Sequence, residues 1–186
     1  MKLGIRKKLK FVVCRINLFR FSLRKRLLGF EFANILLNRL DKDSVQLILR
    51  KNGATIGSNC DIESGQTFHN CRDYSNLVVG DHCHIGKNCF FDLRNKVIIG
   101  NNVTVSMECG FITHMDVGKS RLSKEYPSRN LPIAIEANVY LGARAIVLMG
   151  CCLHSDSIVA AGALVTKDVP QATIVAGIPA QVKTKL

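Results

Sequence analysis

The chain has 186 residues, 47% of them hydrophobic and 22% charged, and a net charge of +12. That apolar share excludes an intrinsically disordered chain, and the length fits one main domain with an appendage. The charge is confined. Residues 1–30 hold ten Lys or Arg and no acid, whereas the remainder holds 16 bases against 14 acids. The basicity therefore belongs to an N-terminal arm, and no nucleic-acid motif accompanies it.

Within the arm, Ile5, Leu9, Val12, Ile16, Phe19, Leu23, Leu27 and Phe30 recur at steps of three and four. That spacing predicts one apolar face of an amphipathic α-helix. Two placements are open. A basic amphipathic helix can lie on an anionic membrane surface, or it can dock on the body or a neighbouring subunit with its basic face in water. The longest apolar run in the arm is about four residues. A signal-peptide core needs roughly 7–15 and a membrane span roughly 20. The expected location is cytoplasmic, with peripheral contact at the inner membrane face as the one membrane option. A second helix is expected from Glu31 to Leu40, and Ser44 is a candidate cap for a short helix through Arg50. The arm is assigned residues 1–52.

From residue 53 a different period takes over. Large apolar residues fall at steps of six in blocks: Ile56, Ile62, Phe68; Val79, Ile85, Phe91; Ile99, Val105, Phe111; and Ile135, Leu141, Val147, Leu153, Val159, Val165. No α-helix has a six-residue period, and plain strand alternation would not select a large residue only every sixth place. The pattern predicts a parallel β-helix of stacked short strands, over residues 53–182. Breaks fall at 69–78, 92–98 and 112–134. The last is the longest excursion and contains Pro127 and Pro132. Such loops in compact repeats tend to be functional or mobile. Residues 183–186 are left as a tail.

Four residues after each large apolar position of the last block comes a slim one: Val139, Ala145, Cys151, Ser157, Ala163 and Val169. Cys60, Cys83, Cys89, Cys109 and Cys151 occupy the same slot, which reads as core packing by small buried thiols. No C-x2-C pair is present among the eight cysteines, so neither a zinc site nor a disulfide framework is expected. His82 and His84 flank Cys83 and read as a solvated edge of the coil rather than as metal ligands. His154 departs from the usual small residue after Leu153 and reads as an outward-facing substitution. His69 lies in an early break.

The hexapeptide blocks run into Gly162-Ala163-Leu164-Val165-Thr166-Lys167-Asp168-Val169-Pro170 and close on Ala176-Gly177-Ile178-Pro179-Ala180. Over about residues 54–182 this resembles the left-handed β-helix acyltransferases, in the branch of maltose and galactoside O-acetyltransferases and polysaccharide acetyltransferases. The resemblance implies an all-β fold with a left-handed coil, a homotrimer, and acetyl-CoA as co-substrate in the cleft between subunits, with no metal required. It places a catalytic base at His114, before the long excursion. It points to cofactor contacts at Ala143, Ala161, Thr166 and Lys167. Lys183 or Lys185 would replace the Arg usual where this chain has Gln181, and Tyr140 stands where Trp is usual. Asp92 is a candidate for binding acceptor hydroxyls. Asp116 either assists His114 or contacts the acceptor.

The chemistry demands such a base. A sugar hydroxyl is a poor nucleophile at neutral pH, and an imidazole can take its proton as the oxygen attacks a thioester. Direct transfer needs no acyl-enzyme, hence no nucleophilic Cys or Ser. The expected function is acetyl-CoA-dependent O-acetylation of a sugar hydroxyl in capsule or exopolysaccharide synthesis. Within the same class stand amino-sugar N-acetylation and serine acetylation. The long helical N-terminal domain of serine acetyltransferases is lacking here. From other classes, a γ-type carbonic anhydrase would need an H-x4-H pair that this chain lacks, and a non-catalytic trimeric scaffold would not require the His114 loop.

Overall fold

Eighteen residues complete one turn of the chain in its C-terminal half, so that Asn138 lies beside Asp156 and Glu136 beside His154. The computed structural model describes the backbone from Lys2 to Leu186 and the side chains from Lys7 onward. Met1 and the side chains of Lys2, Ile5 and Arg6 in the predicted arm lie outside the described residues. Three short strands make each turn. The first turn comprises β1 (Thr55–Ile56), β2 (Asp61–Ile62) and β3 (Thr67–His69). The second comprises β4 (Leu77–Val79), β5 (His84–Ile85) and β6 (Phe90–Asp92). The third comprises β7 (Val97–Ile99), β8 (Thr104–Val105) and β9 (Gly110–Ile112).

After an excursion containing β10 (His114–Met115) and β11 (Arg129–Asn130), the coil resumes. The fourth turn holds β12 (Ile133–Ile135), β13 (Tyr140–Leu141) and β14 (Ile146–Leu148). The fifth holds β15 (Cys152–Leu153), β16 (Ile158–Val159) and β17 (Leu164–Val165). Each strand pairs in parallel with its counterparts above and below. The result is a three-sided prism whose first sheet runs β1-β4-β7-β12-β15, with second and third sheets built the same way from the other strands. This is the left-handed parallel β-helix. The second sheet is extended by β18 (Thr173–Ala176) and the antiparallel β19 (Gln181–Lys185). The predicted tail at 183–186 is thus corrected: Lys183–Lys185 belong to a paired strand.

The six-residue beat is the inward column. All fifteen large apolar residues of the blocks are buried, as are Cys83, Cys89, Cys109 and Cys151 in the slim slots. Cys60, on the first turn, is half-buried, and all eight thiols are free. On the third sheet Phe68, Phe91 and Phe111 stack with ring centroids 5.4 and 4.8 Å apart. Stacking also dictates the corners. Left-handed backbone recurs at one corner at Asn59, His82, Asn102, Asn138 and Asp156. His82 is therefore a turn residue, and His84 faces Asp61 at 3.6 Å. Gly142 has no alternative, because a Cβ there would meet the backbone nitrogen of Ala161 at 2.4 Å.

The N-terminal segment caps the coil with α1 (Lys2–Leu28), α2 (Phe30–Asn34), a 3-10 turn (Ile35–Arg39) and α3 (Lys42–Lys51). The single helix expected over Glu31–Leu40 is split, and the cap of α3 is Asp41, whose carboxylate accepts from the Ser44 amide at 3.1 Å. Ser44 is instead buried and accepts from Asn17. Phe21 and Phe30 pack on Tyr74, which lies 5.2 Å from the Phe68 ring at the end of the stack. Without such a cap the first rung would expose its apolar interior.

The docking face of α1 differs from the predicted stripe. Cys14, Asn17 and Phe21 face inward, with Lys10 and Lys25 bonding Asp43 and Asn52 at its edges. Leu9, Val12, Ile16, Phe19, Leu23 and Leu27 are all exposed, Phe19 at 67%. At 100° per residue the stripe lies on the side of the helix opposite Phe21.

The aromatic column generates a stability prediction. Replacing Phe91 by Ala removes the middle ring of the stack and should cost about 3–5 kcal/mol. Urea denaturation of the two proteins, compared at equal slope, measures the difference.

Candidate active site

Where the third sheet turns toward the first, the coil repeatedly throws out loops: after β3, after β6 and, at greatest length, after β9. The residue that ends β6 is Asp92, and the long excursion begins just after β9 with Thr113 and His114. His114 does not sit in a loose loop. It starts β10, paired antiparallel with β11 through Asn130, while Asp116 lies just past the strand. A 3-10 turn, Arg121–Lys124, fills the loop beyond.

His114 Nδ1 lies 2.5 Å from Asp92 Oδ2. Asp92 is 1% exposed, whereas the His114 side chain is 23% exposed. The same carboxylate accepts from the Thr113 amide at 2.8 Å and hydroxyl at 2.9 Å, and from Asn70 Nδ2 at 3.0 Å. Burial pushes the Asp92 pKa upward, but the bonds from His114, Asn70 and Thr113 outweigh it and hold the carboxyl below its ordinary value. An ionised Asp92 accepts from Nδ1–H, which leaves Nε2 with its lone pair free and turned away from the carboxylate. Asp92 was expected to bind acceptor hydroxyls; here its oxygens are buried beneath the imidazole and engaged by His114, Thr113 and Asn70.

Asp116 is placed elsewhere. It pairs with Arg94 at 3.1 Å and accepts from the Gly118 amide at 2.7 Å, so it ties the excursion to the turn after β6 and makes no bond with His114. Thr113 is wholly buried. Its hydroxyl donates to Asp92 and accepts from the Asn95 amide, and its carbonyl accepts from Leu131. Thr113 and Asn70 are two partners of Asp92 that no spacing or motif singles out. Neither lies in an inward hexapeptide slot, and each becomes a partner of Asp92 only through coil stacking.

Beside this group is a cleft of about 630 Å³, lined in part by His69, Asn70, Arg72 and Arg94. Asn70 and Arg94 connect it to Asp92 and Asp116. No thiol offers a competing nucleophile among the described residues near this corner: burial first, then neighbouring carboxylates, pushes Cys71 up to about 12.

Comparison with known proteins bears on the family. The family pattern described as a hexapeptide repeat of succinyl-transferase matches residues 76–107 and 132–167. A galactoside O-acetyltransferase of Lactococcus lactis subsp. lactis (strain IL1403) is 30% identical over 160 residues, covering 83% of this chain and 76% of that protein. The chain belongs to the hexapeptide-repeat acetyltransferases. The galactoside O-acetyltransferase of Escherichia coli (strain K12) is 27% identical over 172 residues, 86% of this chain and 76% of that one. A hexapeptide-repeat acetyltransferase of Vibrio cholerae O1 biovar eltor, solved with acetyl coenzyme A, superposes with a TM-score of 0.69 at 25% identity. It covers 95% of this chain and 89% of its own.

In this hexapeptide-repeat acetyltransferase the residues expected to hold the co-substrate flank the third sheet from two edges. Ala143 and Ala161 lie at the corner between the second and third sheets, on successive turns, where the Ala143 carbonyl accepts from Gly162. Thr166 and Lys167 lie at the opposite corner, the one that carries His114 two turns below, and line a small cleft with Gln181 and Val182. Lys183 is exposed on β19. Tyr140 is exposed on the second sheet and its hydroxyl meets Ser106 at 3.1 Å.

A pH prediction follows from Asp92. Its folded pKa is depressed, so its ionised form contributes stability above the ordinary carboxylate range, and that contribution disappears as pH falls through the folded value. Asp92→Asn should therefore be clearly less stable than the native protein at pH 7. The gap should narrow steadily below about pH 4. Urea unfolding at a series of pH values checks it. A gap that widened on acidification would contradict the assignment.

Proposed function

We propose that this protein transfers an acetyl group from acetyl-CoA to a saccharide hydroxyl, with His114 as general base. The observation that carries the reading is the short bond from His114 Nδ1 to buried Asp92, which leaves Nε2 free, while Asn70 links the same carboxylate to the neighbouring cleft. The acceptor hydroxyl gives its proton to Nε2 while its oxygen attacks the thioester carbonyl. As the tetrahedral adduct collapses, the carbon–sulfur bond breaks and the imidazolium returns the proton to the departing thiolate. Asp92 holds the ring in one tautomer and stabilises the imidazolium that forms. Asn70, Arg72 and Arg94 supply the donors with which a saccharide would be oriented.

The kinship with galactoside O-acetyltransferases supports a sugar acceptor, and the acetyl-CoA complex of the Vibrio cholerae relative supports the donor. In this reading Ala143, Ala161, Thr166, Lys167 and Lys183 contact coenzyme A. Their division between two edges of the prism suits a site completed by neighbouring subunits of a homotrimer. The product belongs to capsule or exopolysaccharide synthesis.

The exposed stripe of α1 supports a further element: a lipid-linked acceptor met at an anionic membrane surface on the cytoplasmic side. Lys8, Arg15 and Arg26 rim the stripe on one side and Arg20 and Arg24 on the other, by the helix's angular spacing. No described helix is long and apolar enough to cross a membrane.

Two experiments test this function. Acetyl transfer to sugars, nucleotide sugars, lipid-linked saccharides, amino sugars and serine, read by product mass, should succeed with one sugar class. It should fall about 10²–10⁴-fold in His114→Ala. Transfer that survives the substitution, or that selects an amine, overturns the reading. Vesicles containing anionic lipid should sediment the native protein, neutral vesicles should not, and Phe19→Glu should release it with the assembly size unchanged. A variant that loses its oligomeric state instead would assign the stripe to a neighbouring subunit.

A further inference from the structure

A second cluster of reactive side chains lies on a different edge of the prism. Ile135 and Leu153 are register partners on the first sheet, both pointing inward. The residues that follow them, Glu136 and His154, therefore stand side by side at the corner leading to the second sheet. Cys152 precedes Leu153 and, by strand alternation, shares the outer face with His154. None of the three has a part in the acetyl-transfer chemistry, which sits at the corner between the third and first sheets.

We propose that Glu136, Cys152 and His154 form a binding site for a thiophilic divalent transition metal, zinc foremost, that ties the fourth turn of the coil to the fifth. The donor atoms already make a triangle. His154 Nδ1 lies 3.1 Å from Glu136 Oε1 and 3.7 Å from Cys152 Sγ, and Cys152 Sγ lies 3.9 Å from Glu136 Oε1. A tetrahedral zinc ion with bonds of about 2.3 Å to sulfur and about 2.0–2.1 Å to nitrogen and oxygen needs separations of roughly 3.3–3.6 Å. Shifts of a few tenths of an ångström bring the three atoms onto one face of that tetrahedron.

Two features prepare the face. The other carboxylate oxygen of Glu136 accepts from the Ser155 amide at 2.9 Å and hydroxyl at 3.0 Å, which fixes the carboxylate and aims Oε1 at the other two donors. Asp168 accepts from the Cys152 amide at 2.8 Å and adds a second negative charge nearby. The mixed sulfur, nitrogen and oxygen set selects zinc or its neighbours over magnesium and calcium, which take oxygen ligands. His154 and Glu136 side chains are 42% and 44% exposed, which leaves a fourth position open to water.

Metal-free protein titrated with cobalt(II) tests the assignment. The expected result is one ion per chain, with a tetrahedral visible spectrum and a thiolate-to-cobalt charge-transfer band, both displaced by zinc. Cys152→Ser should abolish the band, and His154→Gln and Glu136→Gln should each weaken binding at least tenfold. Circular dichroism verifies that the variants are folded. Acetyl transfer by Cys152→Ser should equal that of the native protein, whereas zinc should raise the melting temperature of the native protein alone. A charge-transfer band that persists in Cys152→Ser, or no stoichiometric binding by the native chain, overturns the proposal.

Discussion

Vertical register rules this molecule. Each inward side chain rests on its counterpart one turn below, so the coil tolerates large residues only at fixed places and slim ones only between them. Phe68, Phe91 and Phe111 show the constraint at its strictest, as three parallel rings on one sheet. Most of the slim slots take Ala, Val, Ser or Cys, which is why free thiols accumulate along the column. The corners obey the same rule, since Gly142 is pressed against the backbone of the next turn. At the open lower end the rule requires a lid, and Tyr74 with Phe21 and Phe30 provides it.

The same register assembles the candidate site. Insertions at the third-to-first corner do not disturb the stack, because each turn pairs only with its neighbours. Residues 22 positions apart, Asp92 and His114, are brought together because one ends a strand and the other opens the excursion from the strand above it. The buried carboxylate is tolerable there because donors surround it: two from Thr113, one from Asn70 and one from the imidazole. What results is an imidazole held on its Nδ1 side by Asp92, near a cleft lined by the N-terminal cap and by residues such as His69, Asn70, Arg72 and Arg94.

How legible was this in the chain itself? The coil was plain, because a six-residue period has one structural meaning and every inward residue announced itself. His114 was singled out through the family resemblance, which places a base just before the longest break. Its partner was not. Asp92 was visible as a candidate but its role depended on the turns aligning, and no local spacing reports the distance between β6 and the excursion. Thr113 and Asn70 were invisible for the same reason. In the arm, the apolar stripe was read correctly as a stripe, but periodicity alone does not say which face docks. Cys14, Asn17 and Phe21 took that role through small size, a buried hydrogen bond and an aromatic contact with the lid. The cap at Asp41 displaced the expected Ser44, since Ser44 is used to anchor Asn17 of α1.

The central claim is that Asp92 works through His114, and a double-mutant cycle on acetyl transfer tests it most directly. Rates would be measured for Asp92→Asn, His114→Ala and the combined variant, with folding verified for each. The account predicts strong non-additivity: the double variant should be no slower than His114→Ala alone, because the carboxylate has nothing left to orient. Multiplicative losses would contradict it, and would mean that Asp92 contributes to the reaction independently of the imidazole.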